Sequence, residues 1–176
     1  MVEGILTKGQ QAATAVVRVA VGSIFLTAGL EKALAATPFD ATGFLKFATA
    51  GVPWLGEAAK GVVYNPTHDF WVGLAGNAAI MPLINWMVVF GEIAIGLALV
   101  LGLFTRFAAV AGTLMLGFFF VASWDFSHGI VNSQLMDAIV TAFVGVMAAG
   151  RYYGLDSVLE KLSAVRHTPQ LRYVLG

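Results

Sequence analysis

The stretch that decides the fold is residues 86–112, WMVVFGEIAIGLALVLGLFTRFAAVAG. Its first part, up to Phe104, is almost wholly apolar, and a run near 20 apolar residues can cross a bilayer core of about 30 Å as a helix. Glu92 lies in the middle of this run, where a carboxylate is costly and usually has a partner or a task. The short turn Thr105-Arg106 follows, and a second apolar run begins at once. The stretch therefore predicts a transmembrane helical hairpin that carries one buried acid.

The composition of the whole chain indicates a protein of the lipid bilayer. The 176 residues are 59% hydrophobic and only 11% charged, whereas a soluble domain carries about 25% charged residues. Such a chain cannot cover itself with polar surface. Its apolar runs predict an all-α fold, a four-helix transmembrane bundle in a single domain, with spans near residues 12–32, 82–104, 107–125 and 132–149.

The first two spans are joined by a long loop, and a tail follows the fourth. The loop, residues 33–81, is long enough to need structure of its own. Thr37 stands directly before a proline, which is typical of a helix start and predicts a short interfacial helix with Thr37 as its N-cap. A second short helix is predicted to open at residues 68–71. In the tail, residues 150–176, Asp156 is predicted to cap a short amphipathic helix.

Lysine and arginine near the span ends predict the orientation, because cytoplasmic loops of membrane proteins carry an excess of both. One side of the membrane would hold Lys8, Arg106, Arg151, Lys161, Arg166 and Arg172. The other side would hold Lys32, Lys46 and Lys60, in or beside the long loop. Both termini are therefore predicted to be cytoplasmic, with the long loop extracytoplasmic and the protein in the inner (plasma) membrane.

The residue types exclude several kinds of chemistry. The chain has no cysteine, which excludes dithiol relays and cysteine-ligated iron–sulfur clusters as chemistry of this chain. None of the three histidines, His68, His128 and His167, lies in an apolar run, so a haem held by two histidines at mid-membrane is not expected. No spacing such as H-x-x-x-H is present, so no metal site is predicted. The net charge of zero gives no indication of nucleic-acid binding.

Arg18 in the first span and Glu92 in the second form the most informative polar pair. Intramembrane charges usually face the interior of a bundle and pair with one another, so we expect these two residues to form a buried ion pair. The sequence leaves two interpretations of the pair open: a structural contact that fixes helix register, or a polar floor for a quinone headgroup or a proton path. An arginine that reaches the nearer interface through its long stem is a further alternative.

A second group of polar residues is predicted to gather at the outer surface. It contains Glu31, Lys32, Asp125, His128, Asn132 and Asp137, with His68 and Asp69 from the long loop. His128 titrates near neutral pH and could relay protons, while a solvated loop is the alternative interpretation. Asp137 also belongs to a stripe of polar and small residues on the fourth span, which suits helix packing.

Four segments of the chain carry a further signal. They are Arg18 with Gly29 and Lys32, residues 43–53 (GFLKFATAGVP), the segment GEIAIGLALVLGLFTRFAA, and residues 150–156. Together they resemble the DoxX/DoxD family, whose members are small four-helix membrane proteins. The family is named for the small membrane subunit of a thiosulfate:quinone oxidoreductase, and other members resemble anchors for soluble detoxifying enzymes. The resemblance implies a membrane subunit associated with redox chemistry, and Arg18 and Glu92 match positions of the family pattern.

The leading interpretation is a membrane protein that is at most one subunit of a quinone-linked oxidoreductase. Its expected quinone-contacting residues are Arg18, Glu92, Asp137, Trp124 and His128, and its expected partners are lipid and a redox protein. One alternative is a non-catalytic scaffold with a structural Arg–Glu ion pair. A small transporter with Glu92 and Asp137 as proton sites is less favoured, because four helices enclose little room. Homo-oligomerisation stays open.

Overall fold

The structure, a computed structural model, describes residues 6–48, 65–124, 130–162, 165 and 173–175, and the regular secondary structure of these residues is entirely helical. The helices are α1, Lys8–Ala33; α2, His68–Ala75; α3, Met81–Leu101; α4, Thr105–Ser123; α5, Ser133–Val146; and α6, Asp156–Leu159. A π-helical turn, Phe44–Ala48, precedes α2, and a 3₁₀ turn, Ala149–Arg151, precedes α6. The prediction of an all-helical fold is confirmed for this part of the chain.

Three of these helices are long and apolar enough to cross a membrane, namely α1, α3 and α4. Their outward faces are apolar, with large exposed side chains such as Val16, Leu83 and Phe118. α5 is apolar as well but has 14 residues, or about 21 Å of helix, which is less than the thickness of a bilayer core. The length and outward faces of α1, α3 and α4 suit contact with lipid.

Glycines set the distance and register between α1 and α3. A Cβ on Gly22 would lie 2.7 Å from the backbone nitrogen of Val100, and a Cβ on Gly29 would lie 2.9 Å from that of Ile93. Backbones this close leave room only for glycine, which is how helices commonly pack in lipid. Because Gly22 lies beside Val100 and Gly29 beside Ile93, the two helices run antiparallel in a fixed register.

The core lies where the pair α1–α3 meets the pair α4–α5. One layer joins all four helices, because the space beside Gly112 of α4 is filled by Phe25, Ile95 and Thr141 of the other three. The buried apolar residues of this core are Val21, Phe25, Ile95, Leu99, Ala108, Ala109, Leu116, Ala138, Val144 and Ala149. This core fixes the positions of the charged side chains on α1 and α3.

The two ends of the bundle are built differently. At one end, which we call the cap end, the segment before α2, α2 itself, the first turn of α3 and the last turn of α4 form a second apolar core. Its buried members are Ala41, Leu45, Trp71, Ala75, Met81 and Ala122. At the other end, the tail end, the turn between α3 and α4 meets residues 148–162. The two ends therefore offer different surroundings to a buried charge.

The long connection between α1 and α3 agrees with the prediction in part. The helix predicted at residues 68–71 is present as α2. The predicted interfacial helix is a single turn, Phe44–Ala48, and Thr37 does not cap it. Instead, the Asp40 carboxylate accepts hydrogen bonds from the Thr42 hydroxyl and N–H, at 2.7 and 3.0 Å, and these bonds hold the pKa of Asp40 below its usual range. The turn starts at Asp40 because its short carboxylate reaches an N–H two residues ahead.

Candidate functional site

Arg18 is held at the tail end by backbone carbonyl groups. Its side chain is 2% exposed, although it projects from the middle of a candidate span. Nη1 donates to the carbonyl oxygens of Ala149 and Tyr152, at 3.1 and 3.4 Å, and Nη2 donates to that of Tyr153, at 3.4 Å. A guanidinium carries five N–H donors in a planar fork, so one arginine can bind three carbonyls that come from the same short segment.

Asp156 completes this cluster from the tail. Its carboxylate is fully buried and accepts hydrogen bonds from the N–H groups of Phe104 and Thr105, at 2.8 and 3.0 Å. These N–H groups lie at the start of α4, so Asp156 caps α4, and the prediction that it caps the tail helix is wrong. The physical reason is that the tail folds back onto the α3–α4 turn, where unpaired N–H groups and the positive end of the α4 dipole favour a carboxylate.

The backbone around Arg18 and Asp156 is unusually tight. Gly102 has a φ of +67°, and a Cβ on Gly102 or Gly154 would clash with the Arg18 guanidinium. Among the described residues, three that are not glycine adopt the left-handed backbone conformation, and all three border this cluster. They are Phe104, Ala148 and Tyr153, with φ of 49°, 50° and 55°. Each such conformation costs on the order of 1–3 kcal/mol and persists only where the surroundings fix it, so this cluster is a specifically built feature.

Glu92 pairs with Lys32 in the other half of the bundle. The Lys32 ammonium lies 2.7 Å from Oε2 and 3.0 Å from Oε1 of Glu92, and it also donates to the carbonyl of Ala28 at 3.2 Å. The Glu92 side chain is 5% exposed and that of Lys32 is 26% exposed. The ring of Phe39 lies 5.6 Å from the ammonium, which is within the range of a cation–π contact. The partly exposed Lys32 side chain therefore covers the buried Glu92 carboxylate on the side that faces the cap end.

The predicted ion pair between Arg18 and Glu92 is wrong, and the register of α1 and α3 is the reason. Glu92 lies beside Gly29 of α1, eleven residues along the helix from Arg18, so about 16 Å separates the two levels. Lys32 lies three residues beyond Gly29, and its long stem reaches back to the acid. Arg18 lies at the opposite end, beside Gly102. In the sequence Lys32 stands at the border of the long outer loop, so its role as the partner of Glu92 is not visible there.

Two of the other expected site residues, Asp137 and Trp124, lie in the described part of the chain. Asp137 is half-buried on α5, and its backbone carbonyl accepts from the Thr141 hydroxyl at 2.6 Å. Trp124 directly follows α4, with its ring centre 5.6 Å from that of Phe120. Residues 125–129, which include His128, lie outside the described part of the chain. Arg18 and Glu92, which were expected in one site, lie in separate clusters, Arg18 with the carbonyls of the tail and Glu92 with Lys32.

A cleft between α3 and α4 is a feature that the sequence analysis did not predict. Its volume is about 780 Å³, and every residue that lines it is apolar or aromatic. It follows α4 from Phe107 to Ala122, fifteen residues apart, which is about 22 Å of helix. Gly91 on α3 is the one part of the cleft that the sequence hints at, because a glycine in a span leaves space beside the helix. The Met115 side chain of α4 reaches into this space, and a Cβ on Gly91 would lie 2.6 Å from Met115 Cε. An elongated apolar cleft of this kind suits a hydrocarbon chain.

Comparison with known proteins agrees with this arrangement of apolar helices. Residues 13–174 match the model of a family described as "TQO small subunit DoxD". The chain belongs to the DoxD family. Membership in DoxD confirms the resemblance drawn from the sequence, and together with the three candidate spans it makes this DoxD chain a multi-pass membrane protein. No curated protein and no solved structure matches the chain.

Proposed function

We propose that this DoxD chain is a membrane-embedded subunit of a quinone-linked oxidoreductase, and that the cleft between α3 and α4 takes the isoprenoid tail of a quinone. The cleft is the observation that carries the proposal. Its volume of about 780 Å³ lies within the roughly 300–1,000 Å³ that is usual for small-molecule sites. Its elongated, wholly apolar lining favours a hydrocarbon tail over a polar substrate, because an apolar wall leaves polar groups without hydrogen bonds.

The residues that would hold the tail lie on the facing sides of the two helices. Gly91 and Ile95 form part of the α3 wall, and Met115 and Phe119 form part of the α4 wall. Glu92 was one of the residues expected to contact a quinone. It directly follows Gly91, which lines the cleft. A bound quinone would supply two-electron, two-proton carrier chemistry. A docked redox partner would supply the electron-transfer centre, since this chain has no cysteine to ligate an iron–sulfur cluster.

The membrane arrangement that we propose has four spans, with α5 and the turn after it as the fourth. Both termini are cytoplasmic and the membrane is the inner (plasma) membrane. The distribution of described basic residues supports this: Lys8, Arg106, Arg151 and Lys161 belong to the tail end, and Lys32 and Lys46 to the cap end. Lys60, Arg166 and Arg172 lie outside the described residues. An excess of lysine and arginine is typical of cytoplasmic ends.

The test fills the cleft. Gly91→Leu adds a side chain where even a Cβ would meet Met115, whereas Gly117→Leu is a matched control on α4, because a Cβ on Gly117 has nothing within 4 Å. The probe is a photoreactive azidoquinone with an isoprenoid tail, applied to protein in nanodiscs, with unlabelled quinone as competitor. We expect competable labelling of peptides from α3 and α4, at least tenfold weaker in Gly91→Leu and unchanged in Gly117→Leu. Equal labelling of both variants, or no competable labelling of the wild type, contradicts quinone binding in the cleft.

A non-catalytic membrane scaffold is the second candidate, and the two charged clusters favour it. Lys32 binds Glu92 through both carboxylate oxygens, and Arg18 binds three carbonyls of the tail. Both clusters hold helices together, which is what a structural role needs. The structural ion pair of such a scaffold would be Lys32–Glu92 and not the Arg18–Glu92 pair expected from the sequence. A scaffold gives no competable labelling by the azidoquinone and still co-purifies with a partner protein, so the same preparation distinguishes the two functions.

A further inference from the structure

The tail presents a row of exposed apolar side chains at the tail end of the bundle. Tyr153, Leu155, Val158 and Leu162 are 72%, 44%, 55% and 50% exposed. Backbone hydrogen bonds continue helical turns from Leu155 to Leu162. Leu155, Val158 and Leu162 are therefore spaced i, i+3 and i+7, which places them on one face. We call these four residues the tail stripe.

The opposite face of the same segment is fixed to the bundle. The N–H groups of Leu155 and Asp156 donate to the carbonyls of Leu101 and Gly102, at 3.1 and 2.8 Å. The buried Asp156 carboxylate caps α4, and Arg18 binds the carbonyls directly before this segment. These contacts hold the segment in one orientation, so the tail stripe points away from the bundle.

The first two residues of the tail stripe, Tyr153 and Leu155, join outward faces of candidate spans. Tyr153 lines a groove of about 570 Å³ with small apolar residues of α1, among them Val16 and Val19, and Val16 is 67% exposed. Leu155 is hydrogen-bonded to Leu101, whose side chain is 48% exposed at the end of α3. In a membrane these faces of α1 and α3 contact lipid. The tail stripe therefore begins at the edge of the lipid, where the apolar surface of α3 ends.

We propose that this segment is an interfacial helix, with the tail stripe among the lipid chains and nearby basic residues facing anionic phospholipid headgroups. Lys161 lies beside Leu162, and Lys8 and Lys161 are both exposed. An apolar face flanked by lysine or arginine is typical of helices that lie in the membrane interface, and basic residues close to the surface are attracted to anionic lipid. This proposal is independent of quinone binding.

Nitroxide labels on single cysteines test the proposal, because the native chain has no cysteine. Full-length protein is labelled at Val158 or Leu162 and reconstituted in vesicles of phosphatidylcholine and phosphatidylglycerol. Label at Val110, which is 60% exposed on α4, is the lipid control, and label at the exposed Asp69 is the water control. All four positions are exposed, so labelling should not disturb folding.

Power saturation of the EPR signal gives the accessibility of each label to oxygen and to a water-soluble nickel chelate. We expect labels at Val158 and Leu162 to follow the lipid control, with collisions with the chelate at least fivefold fewer than at Asp69. Collision rates equal to those at Asp69 would place the tail stripe in water. That outcome overturns the lipid proposal and makes the stripe a docking surface for a protein partner.

The headgroup part of the proposal has its own test. In anionic vesicles, Lys161→Glu should raise the chelate accessibility of a label at Leu162 at least twofold, while in pure phosphatidylcholine it should change little. Lys46→Glu, an exposed lysine of the cap end, is the matched charge change and should have no effect in either lipid. An equal effect of Lys161→Glu in both lipids overturns the headgroup contact and leaves only contact with lipid chains.

Discussion

Arg18 and Glu92, two of the three buried charged residues in the described part of the chain, are stabilised by different partners. Glu92 has an opposite charge, the Lys32 ammonium, at 2.7 Å, so burial of one ion is offset by another. Arg18 donates from Nη1 and Nη2 to three backbone carbonyls, its Nε has no hydrogen-bond partner, and the negative charge of the buried Asp156 carboxylate also favours the guanidinium. A single lysine could not replace Arg18, because an ammonium is a compact point charge and cannot present a planar fork to carbonyls of three residues.

The Lys32–Glu92 contact predicts a specific pattern of stability. Removing one partner of a buried pair costs about 3–5 kcal/mol in soluble proteins, whereas replacing both with apolar residues is often nearly neutral. Because the Lys32 side chain is 26% exposed, we expect Glu92→Gln and Lys32→Met each to lower the free energy of unfolding by a smaller amount, about 1–3 kcal/mol. The double variant Lys32→Met/Glu92→Leu should recover most of this loss. Thermal unfolding of the purified protein measures all three variants.

The control for this cycle combines Arg18→Leu with Glu92→Leu. These residues share no partner among the hydrogen bonds described above. Arg18 lies about 16 Å along α1 from Gly29, the residue beside Glu92, so the effects of the two substitutions on the free energy of unfolding should add. Recovery in this double variant would mean that Arg18 and Glu92 interact after all, and it would contradict the register of α1 and α3.

The sequence identified which charges are buried but not which residues bind them. Position within an apolar run is enough to single out Arg18 and Glu92. The partner depends on how far α1 is shifted along α3, and that shift is decided by contacts between Gly22, Gly29 and the facing backbone. The glycine stripe on α1 is visible in the sequence, whereas the residues that it meets on α3 follow only from the packed structure.

The elements themselves are held together by close backbone contacts. A Cβ on Gly96 of α3 would overlap with the backbone of Leu26 on α1. Gly96→Ala should therefore force the two helices apart and lower the free energy of unfolding by about 1–3 kcal/mol, as overpacking usually does. Gly117→Ala on α4 is the matched substitution, because the Cβ enters open space. There the higher helix propensity of alanine should raise the free energy of unfolding by about 0.5–1 kcal/mol.

Thermal or chemical unfolding of the two glycine variants side by side gives the measurement. Opposite signs are expected from the same chemical change. A loss of similar size in both would mean that the added methyl group acts through the helix itself, and the close approach of α1 and α3 at Gly96 would then be incorrect.

For the individual helices, the sequence predicts the long apolar spans better than the residues at which they begin and end. Apolar runs of sufficient length indicate α1, α3 and α4 directly. The capping residues are harder to assign, because a carboxylate caps whichever N–H groups the fold brings to it. Asp156 is the first residue of the tail helix, yet the returning tail brings its carboxylate to the N–H groups of Phe104 and Thr105 at the start of α4.

For the whole molecule, the difference in charge between the two ends predicts the topology. The cytoplasmic ends of membrane proteins are rich in lysine and arginine, which assigns the tail end to the cytoplasm. We expect a cysteine at Lys46 to react with a membrane-impermeant maleimide in intact cells, and a cysteine at Lys8 to react only after permeabilisation. Both lysines are exposed, so accessibility reports the side of the membrane. The reverse pattern would show that the orientation is inverted.

The class of the molecule follows from composition, while its cleft does not. A chain with 11% charged residues has to lie in lipid, and four apolar runs indicate how often it folds back. The cleft depends on the angle at which α4 leaves α3 and on side chains of the cap end, such as Trp71 and Phe44, that line it. Neither quantity has a periodic signature along the chain, which is why the sequence analysis directed attention to charged residues instead.

The contact between Arg18 and the tail also has a consequence for the order in which the protein is made. The acceptor carbonyl of Ala149 follows Arg18 by 131 residues, and at about 5–20 residues per second the ribosome needs roughly 7–26 s to add them. Once α1 has emerged, and until the tail follows it, the Arg18 guanidinium lacks these acceptors, and water or lipid headgroups must serve in their place. A chain released before Ala149 never gains them. Synthesis as far as the tail is thus a condition for burying the charge of the first helix with its acceptors, and a product truncated before Ala149 keeps its guanidinium without them.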